Sequence, residues 1–86
     1  MIYLRNHLAD YEVAVARFYV KRGAYVGAAN RAKGVIENFD GAPAVDPALK
    51  ILAASYRKLG IEDLALVADN VREANNVANV PDLPNT

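Results

Sequence analysis

An internal repeat narrows the fold more than any other feature of this sequence. Ala16, Tyr19, Gly23 and Ala28 recur as Ala53, Tyr56, Gly60 and Ala65, each shifted by 37 positions, and Val15 and Leu52 keep the same offset. The shared pattern is A-x-x-Y-x-x-x-G-x-x-x-x-A. Its residue types have a physical reading. A small residue lets two helices cross closely, the tyrosine fills the groove beside the crossing, and the glycine stops the first helix in a left-handed turn. A chain written twice on this plan is a pair of helical hairpins.

Periodicity and punctuation place four helices. Leu4, Leu8, Tyr11, Val15, Phe18 and Tyr19 fall at helical spacing, ending at Lys21-Arg22-Gly23, where two cations suit the negative end of the helix dipole. Tyr25, Ala28, Ala32, Val35, Ile36 and Phe39 form a second stripe, broken by Asp40-Gly41-Ala42-Pro43. Asp46 reads as the N-cap of a third helix with Pro47 at its first position, and the stripe Leu49, Leu52, Ala53, Tyr56 and Leu59 closes at Gly60. Glu62 and Asp63 open a fourth, with Leu64, Ala65, Ala68 and Val71 following. The expected domain is residues 1–75, with hairpins at about 4–39 and 46–73. The asparagine-, proline- and aspartate-rich stretch 76–86 is expected to be a disordered tail. The repeat fits the tetratricopeptide template of about 34 residues, with the Gly41–Val45 region taking up the extra length. The predicted fold is all-α: two antiparallel helical hairpins of tetratricopeptide type, a piece of a right-handed α-solenoid.

Composition agrees and excludes several functions. In 86 residues there is no cysteine, so neither a disulfide nor a thiolate metal site supports a core that hides only about 60–65% of the unfolded surface. Ten basic residues balance ten acidic ones, which argues against a nucleic-acid footprint or a polybasic membrane patch. No apolar run approaches the roughly 20 residues of a membrane span, and Met1 to Asn6 does not read as a signal peptide.

Nothing in the sequence composes an active site. His7 is the single histidine, and Asp10 is the one carboxylate within a turn of it, too few ligands for a metal. Ser55 has no histidine near it in sequence and reads as a helix-interior filler. Asp10 with Glu12, and Glu62 with Asp63, are not spaced to face each other across a cleft, and the second pair suits a helix N-terminus. The rings of Tyr11, Phe18, Tyr19 and Tyr25 are expected to pack between helices, a partner-facing role for one of them being the alternative. No catalytic, cofactor-binding or metal-binding residue is assigned, and the expected work is binding other proteins.

The stretch Leu4-Arg5-Asn6-His7-Leu8-Ala9-Asp10-Tyr11-Glu12, with Val15-Ala16, Phe18-Tyr19, Arg22-Gly23-Ala24-Tyr25, Asn30-Arg31 and Tyr56-Arg57-Lys58-Leu59-Gly60, resembles the C-terminal end of the BamD family. This family, also called YfiO or ComL, comprises outer-membrane lipoproteins of the β-barrel assembly (BAM) machine. The resemblance spans nearly the whole chain. It implies a periplasmic scaffold of five tetratricopeptide repeats, whose last repeats contact the membrane-proximal periplasmic (POTRA) domain of BamA and the small lipoproteins of the complex. It implies membrane attachment only through a lipid anchor, whose N-terminal cysteine this sequence lacks, along with the earlier repeats. The sequence therefore reads as a shortened piece of such a protein. It also departs from its own repeat at Asp69 and Glu73, which stand where the first hairpin has Ala32 and Ile36.

The second helix offers the sequence's candidate for a partner surface. Gly27, Gly34, Asn30 and Asn38 lie largely opposite its apolar stripe, with Arg31 at the boundary. Each interior glycine costs about 1 kcal/mol relative to alanine. Two explanations stand side by side: the glycines admit another backbone while Arg31 offers its planar donor fork to a carboxylate, or they only make room for the third helix. A generic tetratricopeptide adaptor, holding a peptide in a concave groove, is the alternative function. The basic residues of the first and third helices argue against it, because few recur at matching positions: Arg17 pairs with Ala54, although Lys21 pairs with Lys58. The resemblance implies that a preceding repeat would cover the first helix. Ile2, Tyr3, Leu4, Leu8 and Tyr11 are therefore expected to be partly uncovered here and to favour self-association, domain exchange or capture of a partner on this face.

Overall fold

A computed structural model describes the backbone of residues 2–79 and the side chains of residues 6–75. It contains α1 (Ile2–Lys21), α2 (Tyr25–Asn38), α3 (Val45–Lys58) and α4 (Glu62–Asn79). Each helix packs on its successor and α3 also touches α1, whereas α2 and α4 do not meet among the described residues. This is the all-α, tetratricopeptide-like arrangement that the repeat predicts.

Both repeats end their first helix in the same way. Gly23 and Gly60 take φ of 78° and 81°. In the first hairpin, Ala24 N–H donates to the Tyr19 carbonyl at 2.9 Å and Gly23 N–H donates to the Val20 carbonyl at 3.0 Å. In the second, Ile61 N–H donates to Tyr56 at 2.8 Å and Gly60 N–H donates to Arg57 at 3.1 Å. Each is a Schellman cap, with tyrosine three positions inside the C-cap and glycine just beyond it. The Y-x-x-x-G spacing of the repeat is therefore the spacing of this cap. The alanines close the hairpins: Ala16, Ala28 and Ala65 are fully buried and Ala53 nearly so. The remaining core is small as well, with Ala9, Val13, Ala29, Ala32, Val35, Leu49 and Leu52 among its buried side chains.

The joint between hairpins has its own set of positions. Val45, Ala48, Leu52 and Ser55 lie along α3 and are all buried. One repeat earlier they correspond to Leu8, Tyr11, Val15 and Phe18 on α1. There Leu8 is 53% exposed, Tyr11 63% and Phe18 52%, so the Tyr11 and Phe18 rings do not pack between helices as expected. The face by which α3 joins the first hairpin is thus an open apolar stripe on α1.

Three boundaries differ from the sequence reading. Helix α1 already begins at Ile2. Helix α3 begins at Val45, with Ala44 as N-cap and no capping side chain. Burial of Ala42, Ala44 and Val45, and the Val45 N–H bond to the Ala42 carbonyl at 3.0 Å, start the helix earlier than the expected Asp46 cap. Pro47 is still tolerated, because N–H groups of a first turn have no partner within the helix. The Asp46 carboxylate instead lies 2.9 Å from Arg72 Nε on α4. That contact is an ion pair by distance, although the N–H is not aligned along it as a hydrogen bond. Helix α4 runs to Asn79, past the expected end at residue 73. Ala74 favours helix, and no proline falls between Glu62 and Asn79 to stop it. The expected disordered tail began at residue 76. Residues 76–79 are helical, and the rest of it, 80–86, lies outside the described residues.

Candidate partner-binding site

Arg31 projects from α2 across the hairpin to α1. Its Nη1 donates to Glu12 Oε1 at 3.0 Å, and its guanidinium carbon stands 6.0 Å from the centre of the Tyr19 ring. The side chain remains 46% exposed in spite of both contacts. The Glu12 hydrogen bond first, and the Tyr19 side chain second, hold the guanidinium above its already high ordinary pKa, so it is charged at every working pH. One ion pair and one ring occupy only part of a five-donor fork. The remainder faces a groove that Leu8, Glu12, Asn30, Arg31, Gly34 and Phe39 help to line.

The two glycines of α2 have different reasons to be there. A Cβ on Gly27 would stand 3.3 Å from Cδ2 of Tyr19, so this glycine seats the tyrosine ring of its own hairpin. It meets neither the third helix nor a partner's backbone, the two explanations that the sequence left open. A Cβ on Gly34 would find only the Asn38 side-chain nitrogen, at 4.0 Å. Packing within the chain therefore does not require Gly34, which opens onto the groove beside Arg31. Asn30 is exposed on the same wall. The structure gathers Arg31, Asn30 and Gly34 at one groove and assigns Gly27 to the packing beneath it.

Sequence reasoning missed the Glu12 and Tyr19 partners of Arg31. Hairpin geometry contained the signal. Glu12 pairs with Arg31, and Tyr19 with Gly27, at roughly balanced distances either side of the Gly23 turn, as antiparallel helices require.

The same groove one repeat later has changed character. Glu12, Asn30, Arg31 and Gly34 correspond to Leu49, Val67, Ala68 and Val71, which line a mostly apolar depression with Leu52, Tyr56 and Leu64, where Lys33 and Glu37 of α2 are the charged members. The second hairpin has no arginine at the position of Arg31 and pairs Arg57 across its helices instead: Arg57 donates from Nε to Glu62 at 3.1 Å and from Nη2 to Asp69. Asp69 first, then Glu62, raise the Arg57 pKa above its ordinary value. Asp69, the departure from the Ala32 pattern, is therefore half of an ion pair within the hairpin. Ser55 is fully buried, as a filler should be, and its hydroxyl has no hydrogen-bond partner. Among the described residues no group of three or more histidine, cysteine or acidic side chains could hold a metal ion. No described helix is long and apolar enough to cross a membrane.

Residues 1–71 match the family described as YfiO, outer membrane lipoprotein. Relatives named outer membrane protein assembly factor BamD share the sequence over most of the chain. The Neisseria meningitidis serogroup A protein is 43% identical over 75 residues, covering 87% of this chain and 28% of its own length. That of Pasteurella multocida is 37% identical over 87% of this chain and 29% of its own length. That of Xylella fastidiosa Temecula1 is 38% identical over 98% of this chain and 27% of its own length. The chain thus spans little more than a quarter of each relative. With this match running through both hairpins and the Arg31 groove, the chain belongs to the YfiO family of outer-membrane lipoproteins.

Proposed function

We propose that this chain is a non-enzymatic scaffold element of the β-barrel assembly machine, and that the Arg31 groove is where it grips the membrane-proximal periplasmic domain of BamA. The setting is the outer membrane, on its periplasmic side. The observation that carries the reading is the pairing of Arg31 with Gly34. A half-exposed arginine is held in place by Glu12 and Tyr19, beside a helical glycine for which the chain has no packing use. Ordering by Glu12 and Tyr19 lowers the entropy lost when the free donors meet a carboxylate, and the absent Cβ lets the partner's backbone come close. Asn30 on the same wall adds an amide that can donate or accept. The open α1 stripe of Leu8, Tyr11 and Phe18 suits a further helical hairpin or another protein of the complex, its small lipoproteins included.

The test is titration of the purified BamA periplasmic domain with the chain and with Arg31→Glu, using Lys33→Glu as a charge control. Helicity is checked in all three. Arg31→Glu is expected to weaken binding tenfold or more, while Lys33→Glu leaves it within twofold of the unaltered chain. Equal binding by all three would remove Arg31 from the interface.

A further inference from the structure

Helices α1 and α3 enclose a second groove, of about 360 Å³, away from Arg31. Val20 and Ile51 contribute apolar surface to it, Arg17 and Lys21 line it from α1, and Lys50 lines it from α3. No carboxylate lines it. The nearest acidic residue on that face of α1, Asp10, stands about two turns before Arg17, and on α3 Asp46, one turn before Lys50, is engaged by Arg72. Arg31, Arg57 and Arg72 are each in ion pairs, whereas Arg17, Lys21 and Lys50, like Arg22, Lys33 and Lys58 elsewhere, have none among the described residues, and only these first three share a groove. In a chain whose charges sum to zero, this segregates three uncompensated cations around one apolar concavity. Arg17 and Lys21 are one turn apart, a spacing at which like charges repel along a helix. The arrangement lacks an anion.

The groove also stays open when hairpins stack. The joint positions on α3, Val45, Ala48, Leu52 and Ser55, correspond to Leu8, Tyr11, Val15 and Phe18. None of these eight lines the groove. A hairpin added before α1 would therefore cover the apolar stripe and leave the cations accessible.

We propose that this groove holds an extended, acidic segment of a partner protein, with carboxylates at alternate positions and apolar side chains between them. Spacing favours that occupant. Arg17 and Lys21 are separated by about 6 Å along the helix axis, and alternate side chains of an extended chain by about 6.6 Å. A segment lying along α1 can therefore set consecutive carboxylates on the two cations. The residues between them face α3, where Ile51 gives apolar contact and Lys50 a further charge. A flat anionic bilayer would not reach Val20 and Ile51 inside the groove, and three cations make a short stripe for nucleic acid.

The experiment uses the whole chain and a fluorescein-labelled decapeptide alternating glutamate with leucine, followed by anisotropy. One control peptide has lysine for every glutamate, and another has serine for every leucine. Saturable binding of the Glu/Leu peptide is expected, with at least tenfold weaker binding of both controls and a fall in affinity as salt rises. Arg17→Glu with Lys50→Glu should weaken it at least tenfold. Lys21→Gln with Lys50→Gln, a milder change that guards against loss of fold, should weaken it several-fold. Arg31→Glu should leave it unchanged, which separates this groove from the BamA reading. Equal affinity for the Lys/Leu peptide, no effect of either double variant in helical protein, or no saturable binding would overturn the proposal. So would vesicles of phosphatidylglycerol binding the chain with the same variant sensitivity while the peptide does not.

Discussion

The two hairpins are interchangeable at one set of positions and opposite at another. Ala16 and Ala53, Ala28 and Ala65, Gly23 and Gly60 match in burial or backbone angle. Tyr19 and Tyr56 provide the same capping carbonyl. On the outer face of the first helix the match ends. Leu8, Tyr11 and Phe18 are more than half exposed, and their counterparts Val45, Ala48 and Ser55 are buried. The groove behind the first helix ends differently too, charged around Arg31 in one hairpin and apolar around Val67 and Val71 in the other. Repeated residues thus specify how a hairpin closes on itself, and unrepeated ones specify what lies beside it.

The largest test of that division is overpacking of the closing positions. Ala28→Phe and Ala65→Phe put a large ring into fully buried sites at helix crossings, and each should cost about 1–3 kcal/mol or more. Urea unfolding followed by circular dichroism measures both. If only one variant were destabilised, the two crossings would not be equivalent. Next in size are the caps. Gly23→Ala and Gly60→Ala force a Cβ into the left-handed region at roughly 1–2 kcal/mol each, with equal shifts in urea midpoint expected.

The outer faces give the third comparison. An apolar stripe on α1 predicts that average mass rises with concentration in sedimentation velocity, and that Phe18→Glu suppresses the rise without loss of helicity. A strictly monomeric profile at high concentration would mean that the stripe does not drive association. The smallest effects separate the glycines of α2. Gly34→Ala should stabilise the chain by up to about 1 kcal/mol, because its Cβ enters open space. Gly27→Ala should forfeit that gain, since the Tyr19 ring must give way at 3.3 Å. Equal melting shifts for the two would contradict the packing described for Tyr19.

Much of this organisation is legible in the sequence because it rests on local chemistry. The Tyr-to-Gly spacing is a cap, and small residues at a fixed offset mark crossings. What local chemistry conceals is competition. Asp46-Pro47 carries a strong helix-start signal, yet burial of Ala44 and Val45 moves the start and turns Asp46 toward Arg72. Polarity after Asn75 suggested a tail, yet α4 continues to Asn79, since asparagine lowers helix propensity without stopping a helix. At the candidate site, Arg31, Asn30 and Gly34 stand out on a helical projection of α2 alone. The role of Gly27 does not, because it depends on a ring contributed by α1.

The contact pattern of the helices has a mechanical consequence. Among the described residues helix α4 touches only α3 and never meets α2, so the last helix is tied to the first hairpin through α3 alone. A pull on α4 reaches the first hairpin only through α3, which passes it to α1 and α2 alike, and a strip wired this way bends at its joints before it tears within a link. The angle between the two hairpins therefore rests on the contacts that α3 makes with α1 and α2. Val45, Ala48, Leu52 and Ser55 act as the hinge plate, and a hydroxyl sits where the preceding plate carries a phenylalanine.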